Sequence, residues 1–175
     1  VPGGTSAVQL RSLTDARRLR QAAVKAEAAL VIGAGFIGCE AAASLARRAV
    51  AVTLVAPQMV PQETRLGAEA GQRLRGLLIE AGVRYVGEVS VEAIHDQAVR
   101  LDNGVTIDSD LILAATGVRP RTELAETAGV ETNNSRIVAG PDMQTSVPDI
   151  YAAGDVALAH NNAARRALAV EHWQD

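Results

Sequence analysis

The sequence predicts an α/β fold in which a parallel sheet carries helices on one face and an antiparallel β-meander on the other. Three observations predict it. A glycine turn, Gly33-Ala34-Gly35-Phe36-Ile37-Gly38, stands between an apolar strand-like run and an Ala-rich helix-like run. The strand-like runs are short and almost wholly Ala, Val, Leu and Ile, as in strands buried on both faces. Hydrophobic residues make up 48% of the 175 residues and aromatic ones only 2%, so the core must be aliphatic.

Residues 1–9 read as an extended lead-in, with turn chemistry at Pro2-Gly3-Gly4. Leu10–Glu27 has helical character, with Ser12 or Thr14 as N-cap. Ala28–Ile32 is a buried strand, Phe36–Arg48 a helix, and Val50–Val55 a second buried strand. The helix should stop on a left-handed residue, and Ala49 stands where glycine is usual, at a cost of about 1 kcal/mol if it takes that conformation. Pro57 and Pro61 mark a loop, and Leu66–Ala81 is an amphipathic helix ended by Gly82.

The rhythm then changes. Val83–Val86, Val91–His95, Ala98–Leu101 and Val105–Ile107 are short strands separated by turn residues such as Asp102-Asn103-Gly104, and read together as the antiparallel meander. Leu111–Ala115 returns to a buried strand. Residues 119–149 are looser, with a short helix around Glu123–Ala128; Ile150–Ala153 reads as a strand and Asn162–Trp173 as a final helix.

Charge and composition exclude several classes. The net charge is −3, with no basic run and no basic–aromatic interleaving, which argues against nucleic acid. No apolar stretch reaches the roughly 18 residues of a membrane span. The first residues form no signal peptide. A single cysteine, Cys39, rules out a disulfide framework and fits the cytoplasm; it reads as a small buried residue. His95, His160 and His172 read as surface residues, no metal-ligand spacing stands out, and no catalytic protein acid–base pair is identified.

The glycine turn carries the chemistry. In G-x-G-x-x-G between strand and helix, Gly33 permits the tight turn, Gly35 lets a pyrophosphate approach the backbone, and Gly38 lets the helix pack on the strand. The helix N-terminus, beginning at Phe36 and Ile37, offers N–H groups and a positive dipole end to the phosphates. This predicts a Rossmann-like three-layer NAD-binding domain. An acid should end the second strand and bind the adenosine ribose. Ala56 stands there instead. Gln58 is a weak substitute, and Arg65 is the only cation in that loop for a 2′-phosphate, so NAD is expected with NADP possible.

Two further runs are Ala115-Thr116-Gly117-Val118-Arg119-Pro120 and Tyr151-Ala152-Ala153-Gly154-Asp155-Val156. With the glycine turn before them, they resemble the motifs of the FAD-dependent pyridine nucleotide-disulfide oxidoreductases. The ending Val170-Glu171-His172-Trp173-Gln174-Asp175 and the lead-in Leu10–Ala16 look like the ferredoxin reductase branch. The resemblance implies that Asp155 binds the ribityl chain of FAD, Gly154 admits the cofactor to the backbone, Trp173 lies near the flavin ring, and Glu40 and Gly117 lie near the nicotinamide. Plainer roles stand beside these: a dipole-matched acid for Glu40, packing for Trp173, a helix N-cap for Asp155.

The resemblance further implies a division into a lead-in (1–9), an NAD(P)-binding domain (10–117) and a partial, incomplete FAD-binding domain (118–175), with an earlier FAD-binding segment expected outside this chain. As isolated, the chain is then expected to retain little FAD. The implied activity is hydride transfer from NAD(P)H to FAD, with electrons passing to a ferredoxin-type iron–sulfur carrier. Alternatives are an NADH oxidase, a nitrite reductase flavin subunit or a disulfide reductase on the same scaffold, or a non-catalytic dinucleotide-binding module resembling apoptosis-inducing factor, or a decayed remnant.

Overall fold

The computed structural model describes residues 6–161 and, for the backbone alone, 166–169. The chain divides into two compact units, Val1–Gly117 and Val118–Asp175.

Unit 1 begins with β1 (Val8–Gln9) and α1 (Leu13–Lys25). Ser12 caps α1 in a reciprocal box: its hydroxyl accepts the Asp15 N–H at 3.2 Å, and the Asp15 carboxylate accepts the Ser12 N–H at 2.9 Å. The helix starts three residues later than the sequence suggests because this cap fixes its first turn. Next come β2 (Ala28–Ile32), α2 (Phe36–Ala46), β3 (Ala51–Val55) and α3 (Glu63–Glu80), which is broken at Gly67 (φ 82°, ψ 170°). Ala49 does adopt the left-handed conformation, at φ 64°, so the strain foreseen after α2 is present.

β4 (Val83–Val86), β5 (Val91–His95), β6 (Ala98–Leu101), β7 (Thr106–Asp108) and β8 (Leu111–Ala114) complete the unit. One expectation is corrected here. Val83–Val86 is not part of the meander; it pairs in parallel with β3 as the edge of the main sheet. That sheet has the order β1-β8-β2-β3-β4, with every pairing parallel, and the meander is the three antiparallel strands β5-β6-β7. Alternation explains the apolar runs. Val31, Val52, Leu54 and Leu113 pack with Ala41, Ala42 and Leu45 of α2, while Leu30, Val55 and Ile112 pack with Ile94, Val99 and Leu101 of the meander. Both faces of the sheet are therefore buried, and neither can be polar.

A carboxylate ties two strand beginnings together. Asp110, just before β8, accepts the backbone N–H groups of Glu27 at 2.9 Å and Ala28 at 3.0 Å.

Unit 2 contains α4 (Glu123–Thr127), β9 (Thr132–Asn133), β10 (Arg136–Ala139), a 3₁₀ turn at Gly154–Val156, β11 (Ala157–Asn161) and β12 (Arg166–Ala169). The four strands form one mixed sheet in the order β12-β11-β10-β9. β9 and β10 join through a two-residue turn with Asn134 and Ser135 both at positive φ, which matches the twist of a hairpin. Two expectations are corrected. Ile150–Ala153 is not a strand; Tyr151 makes only an isolated bridge to Gln144. Residues 166–169 of the expected final helix form β12 instead, antiparallel to β11. Pairing along a whole strand edge overrides the helical propensity of an Ala-rich run. The remainder of that expected helix, including Trp173, lies outside the described residues.

Candidate functional site

The ends of β2, β3 and β8 converge with residues 89–91 on a cleft of about 420 Å³. Gly33, Ala34 and Gly35 form its floor, Ala56, Pro57 and Gln58 one wall, and Ala115, Thr116 and Gly117 another. This is where ligands bind in open parallel sheets, beyond the carboxyl ends of the strands.

The three glycines of the turn have different reasons. Gly33 sits at φ 103°, and a Cβ there would lie 2.5 Å from the carbonyl oxygen of Ala115. Two motifs far apart in sequence therefore touch, and the Ala115 N–H bonds the Ile32 carbonyl at 2.8 Å beside them. Gly38 is buried, and a Cβ on it would collide with the Gly33 carbonyl. Gly35 has neither reason. Its φ of −75° suits any residue, and a Cβ on it would meet nothing within 4 Å. The protein's own packing does not demand glycine at this position, so access to the backbone is what the missing side chain provides. No side chain caps α2 at Gly35. An α-helix leaves its first N–H groups without intrahelical partners, and these carry the positive end of the dipole.

The wall beyond β3 is pinned. The Ala56 N–H donates to the Val86 carbonyl at 3.1 Å, and the Ala56 carbonyl accepts the Val89 N–H at 3.2 Å. Ala56 is 1% exposed. The Gln58 carbonyl accepts the Tyr85 hydroxyl at 2.9 Å and the Glu88 N–H at 3.3 Å. Burial is the main cause that pushes the Tyr85 phenol up to about 12; Cys39 adds to it and Arg75, whose guanidinium lies 5.8 Å from the ring centroid, opposes it. The Gln62 N–H donates to the Ala34 carbonyl at 3.2 Å, which ties the start of α3 to the glycine turn.

Among the residues singled out from sequence, Gly33, Gly35, Ala56 and Gly117 line this cleft, with Gly38 buried beneath Gly33. The Phe36 ring is 37% exposed, with the Arg65 guanidinium 5.2 Å from its centroid. Ile37 and Glu40 line a separate groove between α1 and α2. In unit 2, Gly154 has φ 76°, and Asp155 lies within the 3₁₀ turn, its carbonyl accepting from Arg136. The residue that caps this turn is Ala153, so Asp155 is not an N-cap. Sequence reasoning missed the wall Val89-Ser90-Val91 and the Tyr85 hydroxyl that holds the Gln58 carbonyl. No motif signals them; only the parallel pairing of β4 with β3 brings them there.

Comparison with known proteins agrees with this geometry. Residues 1–174 match the family model described as pyridine nucleotide-disulphide oxidoreductase. The chain is 35% identical over 161 residues to a nitric oxide reductase FlRd-NAD(+) reductase of Klebsiella pneumoniae subsp. pneumoniae, covering 90% of this chain and 42% of that protein. It is 34% identical to putidaredoxin reductase of Pseudomonas putida over 169 residues, 93% of this chain and 40% of the relative. A ferredoxin reductase structure from Rhodopseudomonas palustris superposes with a TM-score of 0.86 at 30% identity, covering 98% of this chain and 44% of that one. The chain thus spans about two fifths of the length of these relatives. From the convergent cleft, the paired glycine and A-T-G motifs and the match along its length, the chain belongs to the pyridine nucleotide-disulphide oxidoreductase family.

Proposed function

We propose that unit 1 binds a nicotinamide dinucleotide and that the complete protein is a flavin-dependent oxidoreductase delivering electrons to a ferredoxin-type iron–sulfur carrier. The observation that carries the first part is Gly35. It opens the backbone at the start of α2 for no reason internal to the fold. A pyrophosphate seated there meets the helix N-terminus and its dipole. The second part is supported by relatives that are reductases of rubredoxin and putidaredoxin.

In this reading residues 10–117 are the NAD(P)-binding domain and 118–175 part of an FAD-binding domain. Flavin, when bound in the complete protein, supplies the hydride acceptor and releases electrons singly. The protein's own residues bind and orient. Gly33 and Gly38 shape the turn, Gly35 admits the phosphates, and Gly117 closes the far wall. The exposed carboxylate of Asp155 and the open backbone at Gly154 suit the hydroxyl groups of a ribityl chain. Glu40 and Trp173 are assigned to the nicotinamide and flavin sides. The localisation we assign is cytoplasmic, in line with a single cysteine; no described helix is long and apolar enough to cross a membrane.

The test is titration of the chain with NADH, followed by nicotinamide fluorescence. Saturable binding that Gly35→Ala weakens supports the reading. Absence of binding by both NADH and NADPH would overturn it in favour of a decayed remnant.

A further inference from the structure

Ala56 directly follows β3, where a carboxylate that binds the adenosine ribose is ordinarily placed. Among the described residues, the lining of the cleft around it carries no acid and no base. The ionic groups of the neighbouring loop point to other tasks. The Glu63 carboxylate accepts the Met59 N–H at 3.1 Å, and the Arg65 guanidinium lies over the Phe36 ring. Gln58 is the lining residue of that wall with a polar side chain.

The backbone of Gln58 is held from two directions. Tyr85 and the Glu88 N–H both bond its carbonyl. Gly87 packs so closely that a Cβ there would lie 2.6 Å from that same oxygen. These contacts fix where the Gln58 side chain starts from on the wall.

We infer that Gln58 is the specificity-determining residue of this site, and that through it the chain accepts both NADH and NADPH. This rests on the proposal that unit 1 binds a nicotinamide dinucleotide. A carboxamide has both a donor and an acceptor. It satisfies a ribose 2′-hydroxyl, and it donates to a 2′-phosphate without repelling it. A carboxylate does only the first, and a guanidinium favours the second. An uncharged wall supplies no term large enough to exclude either cofactor, since one neutral hydrogen bond is worth about fivefold in affinity.

The experiment titrates the chain with NADH and with NADPH at fixed ionic strength. The expected dissociation constants lie within about tenfold of each other, because the discriminating contact is a neutral one. Gln58→Glu introduces the missing carboxylate at the fixed position and shifts the ratio toward NADH by about tenfold or more, through a charge-assisted bond to one cofactor and repulsion of the other. Gln58→Ala weakens both by about fivefold and leaves the ratio unchanged. Circular dichroism checks that each variant folds; if Gln58→Glu does not, the wild-type ratio and Gln58→Ala decide. A wild-type preference beyond tenfold for either cofactor, a ratio insensitive to Gln58→Glu, or undiminished binding by Gln58→Ala overturns the inference. Binding of neither cofactor by the wild type is a different result, which removes the nicotinamide reading itself and the inference with it.

Discussion

A side-chain carbon on Gly38 would run into the carbonyl oxygen of Gly33, although α2 begins between them. The turn and the helix are thus one packed object, whereas Gly35, between the two, contacts nothing through its absent side chain.

Gly38→Ala and Gly35→Ala should therefore fail in different ways. Gly38→Ala forces α2 off the turn and lowers stability by about 1–3 kcal/mol, as overpacking does. Gly35→Ala leaves the denaturation midpoint nearly unchanged, within roughly 0.5 kcal/mol, and weakens NADH binding. Urea unfolding and NADH titration of both variants check this; equal loss of stability in the two would contradict the assignment.

Asp110 gives a pH dependence. The backbone N–H groups of Ala28 and Glu27 hold its carboxyl below the ordinary value. A carboxyl whose folded pKa is depressed stabilises the fold above its unfolded pKa, and that contribution is lost as pH falls through the folded value. Asp110→Asn should flatten the acid limb of the stability–pH profile below about pH 4. An unchanged limb in the variant argues that the β2–β8 start is held by other means.

Cys39 should behave as an inert thiol. Burial pushes it up from 9.0 to about 11, and the neighbouring Glu40 charge adds to this. The folded state keeps the proton longer than the unfolded one, so stability falls as pH rises between those two values. At pH 8 a thiol-specific reagent should label the native chain slowly and the urea-unfolded chain at once. Cys39 is only half-buried, so the raised thiol and not full enclosure is what slows it, and fast native labelling would refute its inertness.

Ala49 carries its left-handed conformation at an exposed position. Ala49→Gly relieves that strain at the cost of greater freedom in the unfolded chain, for a net gain of about 0.5–1 kcal/mol. Thermal denaturation reads the sign directly.

How much of this was legible in sequence depended on how many rules coincided at one place. At Gly33–Gly38, the strand before, the helix after and the spacing all agreed, and the structure shows the steric reason for each end of the motif. Ala49 was legible because helix termination demands a left-handed residue wherever α2 stops. Val83–Val86 was recognised as a strand but assigned to the wrong sheet, since alternation reveals a buried face and not a pairing partner. β9, β10 and β11 escaped because their segments are short and mixed in polarity. Arg166–Ala169 was misread because its alanines favour a helix in isolation, while β11 offers them a full hydrogen-bonding edge. Gln58 was visible as a polar residue near the right place; that Tyr85 and Glu88 fix its carbonyl was not.

β1 lies beside the last residues of β8, with Val8 opposite Leu113 and Gln9 opposite Ala114. The polypeptide comes into unit 1 and leaves it on neighbouring strands. A unit threaded this way can be spliced into a host chain through two adjacent junctions, without the host having to stretch between them.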